Sequence, residues 1–178
     1  MKHLTAVLIS ALLLPSSLCG QGTVTEVGTG FGVNIFSNGG TVTSVGIPGP
    51  GIGAIGLLTS APVYASFFFD GGAMVQPEIA FRYISANGGT MTTVATVGNV
   101  GFLFGRADEN ALFLTVNGAW QYVDVDEESE DEFGAGGRVG YRIVVNEGFA
   151  VSFEGGYRRW FDSETNEIVF GLRLGGVF

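Results

Sequence analysis

The feature that most restricts what this chain can fold into is a period-two alternation of apolar with small or polar residues, held over long segments and repeated up to Phe178. In the last segment Ile168, Phe170, Leu172, Leu174 and Phe178 share one face with Gly176, while Gly171, Arg173 and Gly175 occupy the other. Side chains that alternate with period two lie on a β-strand, not a helix. Working back, Phe149 to Arg158, Phe133 to Ile143 and Leu112 to Tyr122 alternate in the same way. At about a dozen residues each they are long for a globular strand. Upstream the signal weakens: Val94, Val100, Phe102 and Phe104 mark one strand, Ile79, Phe81 and Tyr83 another, Val63 to Phe69 a third, and Val27, Phe31, Val33 and Ile35 the first. That is eight strands. Thr41 to Ile47 could supply a ninth, but an odd count would put the two chain ends on opposite sides of a membrane. It reads instead as a projecting hairpin inside a long first loop, Ser37 to about Ser60.

Composition decides which face looks where. The chain has 30 Gly among 178 residues, only 14% charged residues and a mean hydropathy of +0.37. A soluble barrel puts its apolar face inside and charges outside. Here the second face is mostly Gly, Ala, Ser and Thr with a few Arg and Glu, which suits the narrow lumen of a membrane barrel better than a solvent surface. Aromatic residues gather at the strand ends, Trp120, Tyr122, Tyr157 and Phe161 at one rim and Phe69, Phe104, Phe149 and Phe178 at the other, as in interfacial girdles. The turns Asp70 to Met74, Arg106 to Asn110 and Asn146 to Gly148 are short, and the opposite set, with Asn87-Gly88-Gly89, Asp124 to Glu132 and Asp162 to Asn166, is expected to be longer. The length excludes a large porin, because sixteen strands of about ten residues would leave nothing for turns.

Residues 1–20 read as a secretory signal peptide: Lys2, an apolar core from Leu4 to Leu14, then Pro15 and small residues. Cleavage is expected after Gly20, leaving 21–178 as one barrel domain. Cys19, the only cysteine, follows Leu18, where lipoprotein processing calls for a small residue. Without the leader the chain has neither lysine nor histidine, and the net charge of −9 becomes −10. Such a chain has no cationic stripe for nucleic acid.

The run Phe170-x-Leu172-x-Leu174-x-Gly176-x-Phe178, joined to the signal peptide, resembles the terminal strand signature of bacterial outer-membrane β-barrels. The whole chain after residue 20 is similar to the small eight-stranded families, in particular opacity-type and porin-like outer-membrane proteins. The resemblance implies an all-β, eight-stranded antiparallel up-and-down transmembrane barrel in the outer membrane of a Gram-negative-type cell. It further implies recognition of Phe170, Leu172, Leu174 and Phe178 by the assembly machinery, with outer-membrane lipid as surroundings. A monomer is expected.

Several small outer-membrane barrels are enzymes, most of them built on a histidine acid or base. With no histidine after His3, no catalytic residue is assigned; nor is any cofactor or metal. The acidic stretch Asp124, Asp126, Glu127, Glu128, Glu130, Asp131 and Glu132 is expected on an external loop, lacking the glycine turn of a calcium loop and suited at most to weak divalent-cation or surface-ligand binding. Gly51-Ile-Gly53-Ala-Ile-Gly56 matches a dinucleotide fingerprint in letters only, since no βαβ unit surrounds it. Its apolar neighbours Ile47, Ile52, Ile55, Leu57 and Leu58 suggest a loop folded over the barrel mouth or touching the outer leaflet.

The inward face carries the most specific expectation. Pairing about the Asn146 turn brings Arg138 to Glu154, and pairing about the Glu164 loop brings Arg173 to the same Glu154, with Glu78, Arg82, Arg142 and Arg158 extending a charge network through the lumen. Three roles stay open at this level. They are a non-enzymatic structural or adhesion barrel with a filled lumen, a narrow channel or a carrier of small apolar molecules through a side opening near Gly51 to Leu58, and a secreted soluble barrel holding a hydrophobic ligand.

Overall fold

The computed structural model describes residues 24–37, 41–46, 63–86, 89–125 and 128–178. The leader, Cys19 and the Gly51 to Gly56 motif lie outside the described residues. Nine strand segments appear: β1 (Val24–Ser37), β2 (Thr41–Gly46), β3 (Val63–Phe68), β4 (Ala73–Ala86), β5 (Gly89–Phe104), β6 (Ala111–Val125), β7 (Glu128–Asn146), β8 (Phe149–Trp160) and β9 (Asn166–Val177). All pairings are antiparallel, and β1 pairs with β9 to close the wall. The chain is an eight-stranded antiparallel barrel.

Nine segments make eight staves because β2 and β3 share one. Both run antiparallel to β1 along the same edge, β2 on Gly32 to Ser37 and β3 on Val24 to Thr29. The other edge of Gly32 to Ser37 pairs with β9, so β2 belongs to the wall and is not a hairpin projecting from a loop, as the sequence suggested. The parity objection to a ninth strand disappears, since β3 resumes the direction of β2. Among the described residues β2 makes no ladder with β4.

The wall is staggered. Following one hydrogen-bonded row from Val24 through Phe68, Met74, Gly101, Thr115, Arg138, Gly156 and Val169 returns to β1 at Asn34. Each row therefore climbs towards the β6–β7 end as strand number increases, which is the shear that a tilted closed barrel requires.

The fold is inside-out. Val116, Phe81, Phe104, Leu112, Val139, Phe153 and Phe170 are among the large apolar side chains more than half exposed on the outer wall, while Glu26, Glu78, Asn99, Arg142, Arg158 and Glu167 are buried inside. A continuous apolar exterior on a wall closed through the β1–β9 ladder is what a bilayer demands of strands. The expected rims are present, with Phe104 and Phe178 exposed at the end of the short turns and Tyr157 and Phe161 at the other.

Two expectations about the ends change. Two of the loops opposite the short turns are not long: β4 and β5 pair as far as Ala86 and Gly89, and β6 and β7 as far as Val125 and Glu128. The acidic stretch is consequently a strand hairpin. Asp124 pairs with Ser129, Glu130 with Val123, Asp131 with Tyr122 and Glu132 with Gln121, while Asp126 and Glu127 fall outside the described residues. Here the outward aromatics Trp120 and Tyr122 of β6 stack on each other at 6.4 Å; Trp120 donates across the pair to Asp131, which supports the hairpin, and Tyr122 donates along its own strand to Asp124. At the opposite end a tight turn at Phe69 to Gly72 uses positive φ at Gly71 (83°) and Gly72 (85°), which glycine alone adopts without strain.

The glycine excess serves the interior. A Cβ on inward Gly156 would come within 2.7 Å of Arg138 Cγ, and one on Gly175 within 2.5 Å of Glu26 Cγ, whereas one on outward Gly118 would meet nothing within 4 Å. Gly156→Val should therefore prevent or severely impair barrel formation while Gly118→Val leaves it intact. Heat-modifiable gel mobility of the refolded proteins reads this directly, and equal folding of the two variants would contradict it.

Candidate functional site

The lumen is filled in layers. At the end of the short turns, Phe68, Met74, Leu103, Ala111 and Phe113 pack into a buried apolar floor. Above it Arg142 of β7 donates to Glu26 of β1 at 2.7 Å and to the Ala107 carbonyl at 2.6 Å, while Tyr64 Oη donates to the other oxygen of Glu26 at 2.7 Å. The Arg142 guanidinium also lies 5.0 Å over the Phe68 ring.

The middle layer is centred on Glu78 of β4. Its Oε1 accepts from Arg138 at 2.6 Å, Arg173 at 2.8 Å and Asn99 at 2.6 Å. Arg173 grips Glu154 with two parallel bonds of 2.8 Å, the fork geometry that suits guanidinium to carboxylate, and stacks 4.9 Å over Tyr64. Arg138 approaches Glu154 only to 3.5 Å. All four ionic side chains are at most 7% exposed.

The third layer pairs Arg158 with Glu167 at 3.1 Å. Trp160 Nε1 donates to the same carboxylate oxygen at 3.0 Å, and Arg158 donates to Asn117 at 3.3 Å and lies 5.3 Å over the Trp160 ring. Val97, Ala119 and Trp160 form a small apolar cluster beside it. Each layer balances cation with anion, as it must where an isolated charge would be costly to hold away from water.

Six of the seven residues assigned to the network from sequence meet there as three groups: Arg138, Glu154, Arg173 and Glu78 together, and Arg142 apart from them with Glu26. Arg158 forms the third group with Glu167. Arg82 lies in β4 opposite Thr93, its side chain outside the described residues. The hub is Glu78 rather than Glu154. The register explains the difference. Arg138 faces Gly156 and Arg173 faces Ser152, each displaced by two residues from the expected partner, because the β7–β8 turn falls at Glu147 and Gly148 rather than at Asn146 and the β8–β9 connection closes through Trp160 N to Thr165 O. Long side chains reach diagonally across that displacement. Sequence reasoning overlooked Glu26, Tyr64, Asn99, Asn117, Trp160 and Glu167. Glu26 and Glu167 carried a usable signal, since each is a carboxylate on the glycine-bearing face of its strand, in phase with Gly28 and with Arg173.

Of the terminal signature, Phe170 and Phe178 are exposed on the outer wall, and Leu172 and Leu174 share their face of β9. Phe178 exchanges backbone hydrogen bonds with Thr25 at 2.8 and 3.1 Å, extending the β1–β9 seam past the strand ends. The exposed turn after β5 has its own ion pair, Arg106 to Asp108 at 2.9 Å, whose hydrogen bonds hold the Asp108 carboxyl below the usual carboxylate range. Among the described residues no group of three or more His, Cys, Asp or Glu is placed to hold a metal ion.

A closed, sheared barrel with an apolar exterior and a neutralised ionic interior has the architecture of small bacterial outer-membrane β-barrels. Solved structures of that class superpose on this chain. Ail, the attachment invasion locus protein of Yersinia pestis, in complex with the heparin analogue sucrose octasulfate, matches with a TM-score of 0.60 and 11% identity over 88% of this chain and 99% of that one. Neisserial surface protein A matches with a TM-score of 0.57 and 9% identity over 88% and 97%. At such identities the likeness is one of fold. No family model and no curated protein sequence matches the chain.

Glu78→Ala leaves two buried guanidinium groups short of a partner, whereas Glu154→Ala leaves Arg173 its bond to Glu78. Breaking a buried pair from one side costs about 3–5 kcal/mol, so Glu78→Ala should fall in that range and Glu154→Ala below it. Urea unfolding of the barrel in detergent micelles measures both, and a larger loss for Glu154→Ala would reject Glu78 as the hub.

Proposed function

We propose that this protein is a non-enzymatic, non-conducting barrel of the bacterial outer membrane that acts through the end it presents outward, as a structural or surface-interaction element. The observation that carries the reading is the occupied lumen. An apolar floor of Phe68, Met74, Leu103, Ala111 and Phe113 and three ionic layers lie across the passage one above another. An eight-stranded barrel has an interior just wide enough for side chains to fill, so an ion would have to displace them. The lack of any histidine after His3 supports the non-enzymatic part, as the acid–base chemistry of such barrels usually rests on one.

The outward end points to the charge of a partner. Ail is recorded with a polyanionic heparin analogue. Here that end carries Asp124, Glu130, Asp131, Glu132, Asp162 and Glu164 against Arg159, so a polyanion is repelled and a cationic surface is favoured. A second reading, a carrier of small apolar molecules through a side opening, is favoured by one observation: among the described residues no ladder joins β2 to β4.

Planar bilayers distinguish these readings from a pore. The inserted wild-type barrel should give no steady ion conductance at any voltage the membrane tolerates. Reproducible single-channel steps from protein with the folded gel mobility would overturn the closed-lumen reading.

A further inference from the structure

At the end opposite the short turns, β7 outruns the strand beside it. Its ladder with β6 continues to Glu128, paired with Val125, whereas β8 ends at Trp160, opposite Gly134. The chain turns back there towards β9: Trp160 N donates to Thr165 O at 2.8 Å, and Glu164 takes a left-handed φ of 54°. Beyond that turn no strand among the described residues pairs with the β8 side of β7.

The last backbone bond on that side runs from Phe161 N to Phe133 O at 3.0 Å. In an antiparallel ladder the N–H and C=O of one residue point to the same edge, and successive residues alternate. The N–H and C=O of Asp131 and Ser129 therefore point to the same open side as Phe133 O, while those of Glu132 and Glu130 turn to β6 and its Gln121 and Val123. Ser129, Glu130 and Asp131 are exposed. Phe133 and Phe161, exposed at the rim, mark the membrane interface, so the open edge lies beyond the bilayer, in reach of a partner. An unpaired edge of this kind is a template for another strand, and strand addition is a general mode of peptide capture.

Charge decides which strand fits. Glu130 and Glu132 share one face of the edge and Asp131 lies on the other, with Asp162 and Glu164 exposed on the adjoining turn. Arg159, at the foot of the edge, is already engaged by Glu164 O and Asn166. Like charges directly opposite on paired strands are destabilising, so the same edge of a second copy is rejected and a cationic strand is favoured. We propose that the open edge of β7 from Glu128 to Glu132 is a strand-addition site for an extended, lysine- or arginine-bearing segment of a partner protein. The proposal deepens the surface role and rests on that reading in one respect, that this end of the barrel faces outward.

The test uses the full barrel in detergent micelles, its folding checked by heat-modifiable gel mobility, and a fluorescent peptide alternating lysine with valine. Anisotropy should show saturable binding. The same peptide with N-methylated backbone nitrogens keeps its charge and loses its donors; it should bind at least about tenfold more weakly, because more than one hydrogen bond is lost. Ser129→Pro removes a donor of the open edge without changing charge or the β6 ladder, at a position where an edge strand tolerates proline. It should weaken binding at least about fivefold, the loss of one hydrogen bond, and Ser129→Ala should not. Glu130→Gln should weaken binding by an amount that shrinks as salt is raised. If Ser129→Pro fails to fold, the N-methylated peptide on the wild-type barrel carries the comparison. The proposal is overturned by equal binding of the two peptides, by an unchanged affinity in folded Ser129→Pro, or by no saturable binding to folded wild type. Wild-type barrels that dimerise and become monomeric in Ser129→Pro would give the edge to a second copy and overturn it too. Labelling of Ser129→Cys on intact cells with a membrane-impermeant maleimide reads the orientation separately. Peptide binding without surface labelling would sink the outward reading and not the edge.

Discussion

Closure of the backbone ladder between β1 and β9 is the condition on which everything else in this structure depends. Strands in a bilayer have no water to satisfy a free edge, so a wall either closes or does not form. Here the closing pair runs from Glu26–Val177 to Ser37–Asn166 and is extended by Thr25 and Phe178. Once it is closed, the period-two alternation sorts side chains mechanically into an apolar coat and an enclosed column. Glu26 on the closing strand is then held by Arg142 from the far side of the lumen, which ties the first strand to the seventh through the interior as well as along the wall.

The column has to solve the problem that closure creates. Charged side chains facing inward are removed from bulk water, and the molecule answers with neutral layers and aromatic faces rather than with a hydrated channel. Glycine makes the layers possible: Gly156 leaves space for the stem of Arg138, and Gly175 for that of Glu26. High glycine content and low charge content are thus two sides of one packing solution, in which few ions are used and each is surrounded.

Much of this could be read in the sequence, and the limits have physical causes. Alternation identified the barrel, the facing of each strand and the inward arginines, because side-chain direction in a strand depends on parity alone. Register was harder. Turn centres estimated at Asn146 and Glu164 put each partner two residues off, since the turn at Glu147 and Gly148 and the tight closure at Trp160 and Thr165 are set by local backbone bonding that residue types do not spell out. An error of two preserves facing, so the right residues were gathered around the wrong hub. The acidic stretch misled for a different reason. Like charges in a row resemble a solvated loop, yet alternate carboxylates of a hairpin point to opposite sides, and cross-strand bonds from Gln121 and Trp120, with one along β6 from Tyr122, support them.

The stave shared by β2 and β3 has a consequence for the evolution of such chains. Gly46 and Val63 end and resume the same stave in the same direction, so the residues between them can change in number and kind without altering strand parity, shear or the closing seam. This position is a natural port for insertion, where new sequence could be grafted into the wall of a finished barrel without the barrel having to be redesigned.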